Sequence, residues 1–116
     1  MLITIDAASS VPLFEQLAAG IRSQVIAGTV STGARLPSAR ELAESLDVNV
    51  HTVLHAYQLL RDEGFVDLRR GRGAVVTSRA HDYAQLLRDI DRVVTEARRL
   101  ELAPGALGAL IREAYQ

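Results

Sequence analysis

The chain is 116 residues long with a net charge of −1, no cysteine, and 48% hydrophobic against 23% charged residues. That length suits one compact domain, or a small domain with an appendage, with enough apolar surface for a core and little room for a separate catalytic or ligand-binding domain. The absent cysteines exclude disulfides, thiolate metal sites and cysteine nucleophiles, no stretch approaches the roughly 18 apolar residues of a membrane span, and residues 1–6 lack the basic-then-apolar pattern of a secretory signal, so a cytoplasmic location without membrane attachment is expected.

After a short extended start, Ser9, Ser10 and Pro12 mark a helix entry, proline being tolerated where its missing N–H would have no partner. Phe14, Leu17, Ala18, Ile21 and Val25 then recur at helical spacing, and Gly28 is the expected stop. Residues 29–37, rich in Ser, Thr, Gly and Pro, read as a loop. Ser38-Ala39-Arg40-Glu41 fits a capping box, in which the serine hydroxyl and the glutamate carboxylate satisfy free backbone N–H groups at a helix start. Leu42, Ala43 and Leu46 supply that helix's apolar side.

A break at Asp47-Val48 precedes a second start signal. Asn49 can cap the next helix, and Val48 and Val53 are spaced as a hydrophobic staple. Val53, Ala56, Tyr57 and Leu60 fall at i, i+3, i+4 and i+7 and are expected in the core. At about 100° per residue, His51, His55, Gln58 and Asp62 fall on the opposite side. A helix pointing its amino end into a major groove would present Asn49, Val50, His51, Thr52 and His55 to DNA. Asp62 and Glu63, which repel phosphate, lie at the far end.

Gly64 is expected to stop that helix. Residues 65–68 and 74–77 read as two strands around the turn Arg69-Arg70-Gly71-Arg72-Gly73, where glycines permit hairpin geometry and close approach to a groove. All thirteen basic residues are arginine, and residues 69–79 hold four of them with no acid. Phosphate contacts draw on charge at the interface rather than on the total, so a basic tip on a near-neutral body suits DNA.

From Asp82 to about Leu102 the pattern is helical again. Tyr83, Leu86, Leu87, Ile90, Val93, Val94, Ala97 and Leu100 form two adjacent heptad stripes, wider than one seam requires. Pro104 opens a last short helix on which Leu107, Leu110, Ile111 and Ala114 share a face. Two such helices cannot form a large core alone, so a dimer interface with the same pair from a second chain is expected. An intrachain core and the lining of a small-molecule effector pocket are the alternatives.

Helix, tight turn, helix and hairpin in that order make a winged helix-turn-helix: a mainly α fold with a small β-wing, followed by a two-helix tail. Residues 1–78 are expected to bind DNA and residues 79–116 to dimerise. The blander readings are a winged helix used as a protein–protein interaction module and wing arginines that merely solvate a turn. His51 and His55, at i and i+4, could hold a metal ion, but no third ligand is evident in sequence and no metal or other cofactor is expected. The histidines have no paired nucleophile and no phosphate-binding Gly-rich loop is present, so enzymatic activity is not expected.

The stretch from Pro12 to Val76 resembles the GntR family of bacterial transcription regulators. The resemblance is carried by Pro12-Leu13-Phe14-Glu15-Gln16-Leu17, Gly33-Ala34-Arg35-Leu36-Pro37-Ser38, Arg40-Glu41-Leu42-Ala43, Val48-Asn49, Thr52-Val53, Ala56-Tyr57, Leu60, Glu63-Gly64 and Gly71-Arg72-Gly73. The short tail is similar to that of the YtrA subgroup, which lacks a large effector-binding domain. The resemblance implies that Ser38 and Arg40 contact DNA from the first helix of the pair, and that Asn49, His51 and Thr52 sit at the reading end of the second. It also implies that Arg70 and Gly71 belong to a wing entering the minor groove. The chain departs from the family at Val50 and Leu54, where a DNA-contacting arginine is common, and at His55, where the subgroup often has Arg or Lys; its base preference is its own. The expected protein is a homodimeric, sequence-specific regulator, more often a repressor in kind, binding an inverted repeat in double-stranded DNA.

Overall fold

The computed structural model describes residues 2–116; Met1, where the expected first domain begins, lies outside them. In chain order the elements are α1 (Leu13–Ala27), α2 (Ala39–Leu46), α3 (Val50–Asp62), β1 (Val66–Arg69), β2 (Gly73–Val76), a 3-10 helix (Ser78–Tyr83), α4 (Ala84–Arg99) and α5 (Pro104–Ala114). They fall into two compact units, one ending at Asp82 and the other running Tyr83–Gln116. The fold is the mainly helical winged helix-turn-helix with a two-helix tail that the pattern predicts.

In the first unit, α3 packs against both α1 and α2. Leu17, Ala18, Ile21 and Val25 of α1 meet Val53, Ala56, Tyr57 and Leu60 of α3 in the core, closed by Leu36, Leu42, Phe65, Val66, Ala74 and Val76. These are the apolar positions that recur at helical or alternating spacing, so burial follows pattern. α1 ends where Gly28 turns left-handed, at φ 83°.

Three helices end in one hydrogen-bonding device, in which two N–H groups beyond the helix reach back to its last free carbonyls. After α3, Gly64 N–H donates to the Arg61 carbonyl (2.9 Å) and Phe65 N–H to that of Leu60 (2.9 Å). After α2, Val48 N–H reaches Ala43 (3.0 Å), and after α4, Leu102 N–H reaches Ala97 (2.9 Å). The device needs one left-handed residue. Asp47 (φ 55°) and Glu101 (φ 57°) fill that role without being glycine.

β1 and β2 pair antiparallel with Val66 opposite Val76 and Arg69 opposite Gly73. Each strand is therefore displaced by about one residue from the predicted spans. The expected loop before Ser38 is a loop that runs beside β2 and bonds to it without forming a strand: Leu36 N–H donates to the Ala74 carbonyl (2.8 Å), Val76 N–H to that of Ala34 (2.9 Å), and Gly33 N–H to that of Val76 (2.8 Å). Arg35 bridges Val75.

The tail differs from expectation at its start. Residues 78–83 form a 3-10 helix, so α4 begins at Ala84 and Tyr83 is its N-cap, making no side-chain capping bond. Tyr83 thus lies at the edge of the apolar stripe rather than on the helix. α5 opens at Pro104, as its fixed φ favours.

Candidate nucleic-acid interface

Ser38 and Asn49 fix where the two helices of the pair begin. The Ser38 hydroxyl accepts the Glu41 N–H (3.1 Å), which is one half of the expected capping box. The Asn49 side-chain oxygen accepts the His51 N–H (2.8 Å). Asn49 thereby commits its acceptor to the helix and leaves its amide donors to face outward. Tyr57 holds the segment before Ser38 in place, its hydroxyl donating to the Pro37 carbonyl at 2.6 Å. Burial, reinforced by the Glu41 charge, pushes the Tyr57 phenol well above its ordinary range and keeps it a donor.

Arg40, on the first turn of α2, is exposed, and no ion pair holds it among the described residues. On α3, His51 is exposed while Val50 and Thr52 are half-buried. His55 is exposed but not free-standing: its ring stacks on Phe14 of α1, centroids 3.7 Å apart and planes 10° from parallel. One face of the imidazole is thus used inside the protein while the residue stays exposed. No group of three His, Cys, Asp or Glu side chains placed to hold a metal occurs among the described residues.

The wing turn is closed by Arg72 N–H donating to the Arg69 carbonyl (3.0 Å). Gly71 (φ 80°) and Gly73 (φ 70°) take left-handed conformations that a side chain would resist. The basic segment is less uniform than its sequence suggests. The pleat puts Asp67 and Arg69 on one face, and they pair at 3.3 Å. Arg79 pairs with Asp82 at 3.4 Å. Arg70 and Arg72 have no such partner among the described residues and form the tip's uncommitted charge.

α2, α3 and the wing enclose one cleft of about 370 Å³. Ser38 and Ala39 line it from α2, Leu54 and Gln58 from α3, and Leu68, Arg69 and Arg70 from the wing, and no acidic residue lines it. Leu54 and Leu68 are each 41% exposed. At the far end of α3 the acids are neutralised. Arg22 of α1 grips Glu63, its Nη2 donating to both carboxylate oxygens (2.7 and 2.9 Å) and its Nε to Oε1 (2.9 Å), and Arg61 pairs with Asp62 (3.1 Å). Sequence reasoning missed the Arg22–Glu63 pair. The two residues are 41 positions apart, and the sole local hint is a charged residue beside the apolar face of α1.

The predicted tail stripe is largely uncovered. Leu86 (51%), Ile90 (45%), Leu100 (60%) and Leu110 (54%) are exposed, as are Leu87, Val93 and Ile111; Tyr83, Val94 and Leu107 are half-buried, and Ala97 is the one buried side chain of the unit Tyr83–Gln116 among the described residues. A cleft of about 350 Å³ lies between α4 and α5, lined by Val93, Ala97, Leu100, Leu102, Leu107 and Leu110, with Arg92 and Glu96 at its rim. Glu96 and Arg99 hydrogen-bond one turn apart, which holds the glutamate below and the arginine above its ordinary range.

Residues 13–76 match the family described as bacterial regulatory proteins, gntR family. The chain is 38% identical over 79 residues to the HTH-type transcriptional repressor YtrA of Bacillus subtilis, covering 68% of this chain and 61% of YtrA. It is 33% identical over 108 residues to the HTH-type transcriptional repressor STM4068 of Salmonella typhimurium, covering 86% of this chain and 45% of that protein. It thus spans less than two thirds of the length of either. Among solved structures, the GntR-family transcription factor YtrA from Sulfolobus acidocaldarius superposes with a TM-score of 0.64 at 38% identity, over 83% of this chain and 99% of that one. A GntR-family regulator from Listeria monocytogenes does so at 0.65 and 27% identity, over 94% and 98%. The chain belongs to the gntR family of bacterial regulatory proteins, with the helix-turn-helix of its DNA-binding transcription regulators.

Proposed function

We propose that this chain is a sequence-specific transcriptional repressor that binds an inverted-repeat operator as a homodimer, one winged helix per half-site. The observation that carries the reading is the cleft shared by α2, α3 and the wing, rimmed by Ser38 and Arg70 and lined by no acidic side chain. Ser38, Arg40, Arg70 and Arg72 position the protein on phosphates, Arg69 contributing less because Asp67 holds it. Asn49, Val50, His51, Thr52 and His55, at the amino-terminal half of α3, meet base edges, and Gly71 lets the wing backbone approach the minor groove.

We assign residues 1–78 to DNA binding and 79–116 to dimerisation. The exposed apolar faces of α4 and α5 support that division, since a contiguous apolar surface of this kind is normally covered by a partner. A two-fold dimer places half-sites one helical turn, about 34 Å, apart, or a multiple of it. The cleft between α4 and α5 is the place for a small apolar effector if one binds. No catalytic role is assigned, and the protein works where the chromosome is, in the cytoplasm. The repressor names borne by YtrA and STM4068 support the sign of regulation.

Selecting bound duplexes from a random pool tests the reading. A palindromic enriched site, bound by two copies per duplex in native mass measurement, is the expected result. An asymmetric site bound by one copy overturns the dimer, and no enrichment at physiological salt overturns DNA binding in favour of a protein partner.

A further inference from the structure

We propose that Leu54, with Val50 one turn before it, reads the C5-methyl groups of thymine in the major groove, so each operator half-site carries thymines opposite the amino-terminal half of α3. The inference rests on the DNA-binding reading above. Val53, Ala56, Tyr57 and Leu60 take the buried side of α3, whereas Leu54 is 41% exposed, an aliphatic side chain that the protein's own core leaves uncovered. It faces the cleft bounded by the Ser38 end of α2 and by Arg70 of the wing.

Positive charge at that rim favours a polyanion over an acid-neutral protein surface as the occupant. An aliphatic side chain offers a base edge neither donor nor acceptor. In the major groove, thymine is the base that presents an apolar group, its methyl, and aliphatic contact with it discriminates against the other three bases. Val50 and Leu54 are four residues apart, about 6 Å along the helix axis at 1.5 Å per residue, which is close to two base-pair steps. Gln58 continues the same strip and lines the cleft, carrying the carboxamide that matches adenine's N6 and N7. The strip is therefore suited to adjacent T·A pairs. His51 and His55, on the neighbouring strip, contact backbone or other bases.

The experiment uses the full chain and an operator selected from a synthetic, unmethylated duplex pool, in which thymine is the only carrier of the methyl group. Each thymine of the half-site is replaced in turn by uracil, which keeps every hydrogen-bonding group and loses the methyl. At one or two positions the dissociation constant is expected to rise about fourfold, the worth of one buried methyl. With Leu54→Ala that difference is expected to fall below twofold at one of those positions while the others keep theirs. The uracil series on the unaltered protein stands whether or not the variant folds. Sequence-specific binding that is indifferent to uracil at every position, or a half-site without thymine, overturns the inference while leaving DNA binding intact. Failure to select any duplex overturns both.

Discussion

In the proposed interface, Arg40 is the residue on which docking is expected to depend most. It sits on the first turn of α2, exposed and outside any ion pair among the described residues, so its guanidinium is ready for a phosphate without first breaking an internal bond. Arg40→Ala is expected to weaken operator binding at least tenfold in a gel-shift assay while leaving the size of the free protein unchanged. The wing arginines divide by partner. Each of Arg70→Ala and Arg72→Ala is expected to flatten the plot of log affinity against log salt by about 0.9. Arg69→Ala should flatten it less, because Asp67 already competes for that guanidinium at 3.3 Å. Equal slopes for all three variants would show that the Asp67 pair dissolves on DNA. The Asp67 pairing was not legible from the run of arginines at 69–79, since that count ignores the acid two residues upstream on the same face of the strand.

At the scale of elements, helix starts were legible and some helix ends were not. Ser38 and Asn49 announce α2 and α3 because a short polar side chain before an apolar period has one common use. Gly28 and Gly64 announce two ends for the same kind of reason. Asp47 and Glu101 do the same work at φ 55° and 57°, but neither residue type signals it. A side chain in that conformation is strained, so Asp47→Gly and Glu101→Gly are each expected to raise stability by roughly 0.5–1 kcal/mol, read as a higher midpoint in urea. The bonding of residues 33–36 to β2 hid within a Gly- and Pro-rich segment whose composition reads only as loop. Its pairing to β2, together with the Tyr57–Pro37 bond, anchors the entry to α2 from two sides. Tyr57 has a consequence for pH. Its phenol is raised in the folded protein, so its stabilisation is complete below about pH 10, where an unfolded tyrosine ionises, and is lost as pH rises beyond that. Tyr57→Phe is expected to cost about 1 kcal/mol at pH 8 and to flatten the decline of stability above pH 10.

At the scale of the whole molecule, the apolar surface of the tail is the clearest signal. The heptad stripes predicted an amphipathic helix with more apolar width than one neighbour covers, and the exposure of Leu86, Ile90 and Leu100 agrees with that width. What covers it is not written in one chain's sequence, because the period of a helix states that a face is buried and not by whom. Ile90→Glu is expected to convert a dimer to a monomer in sedimentation and to reduce operator affinity steeply while single half-site contacts persist. A variant that remains dimeric would move the interface off α4.

The loop segment bonded beside β2 also decides how the two-stranded sheet meets its surroundings. With residues 33–36 on one side of β2 and β1 on the other, the exposed backbone edge of the wing is β1, four residues long, with no further strand beside it among the described residues. An open edge of that kind invites another molecule's strand. Here it is short and carries Asp67 and Arg69, charges that an intruding strand would have to accommodate. The Asp67–Arg69 ion pair thus guards the wing against edge-to-edge aggregation, a second use for a residue that is easily read only as part of a basic tip.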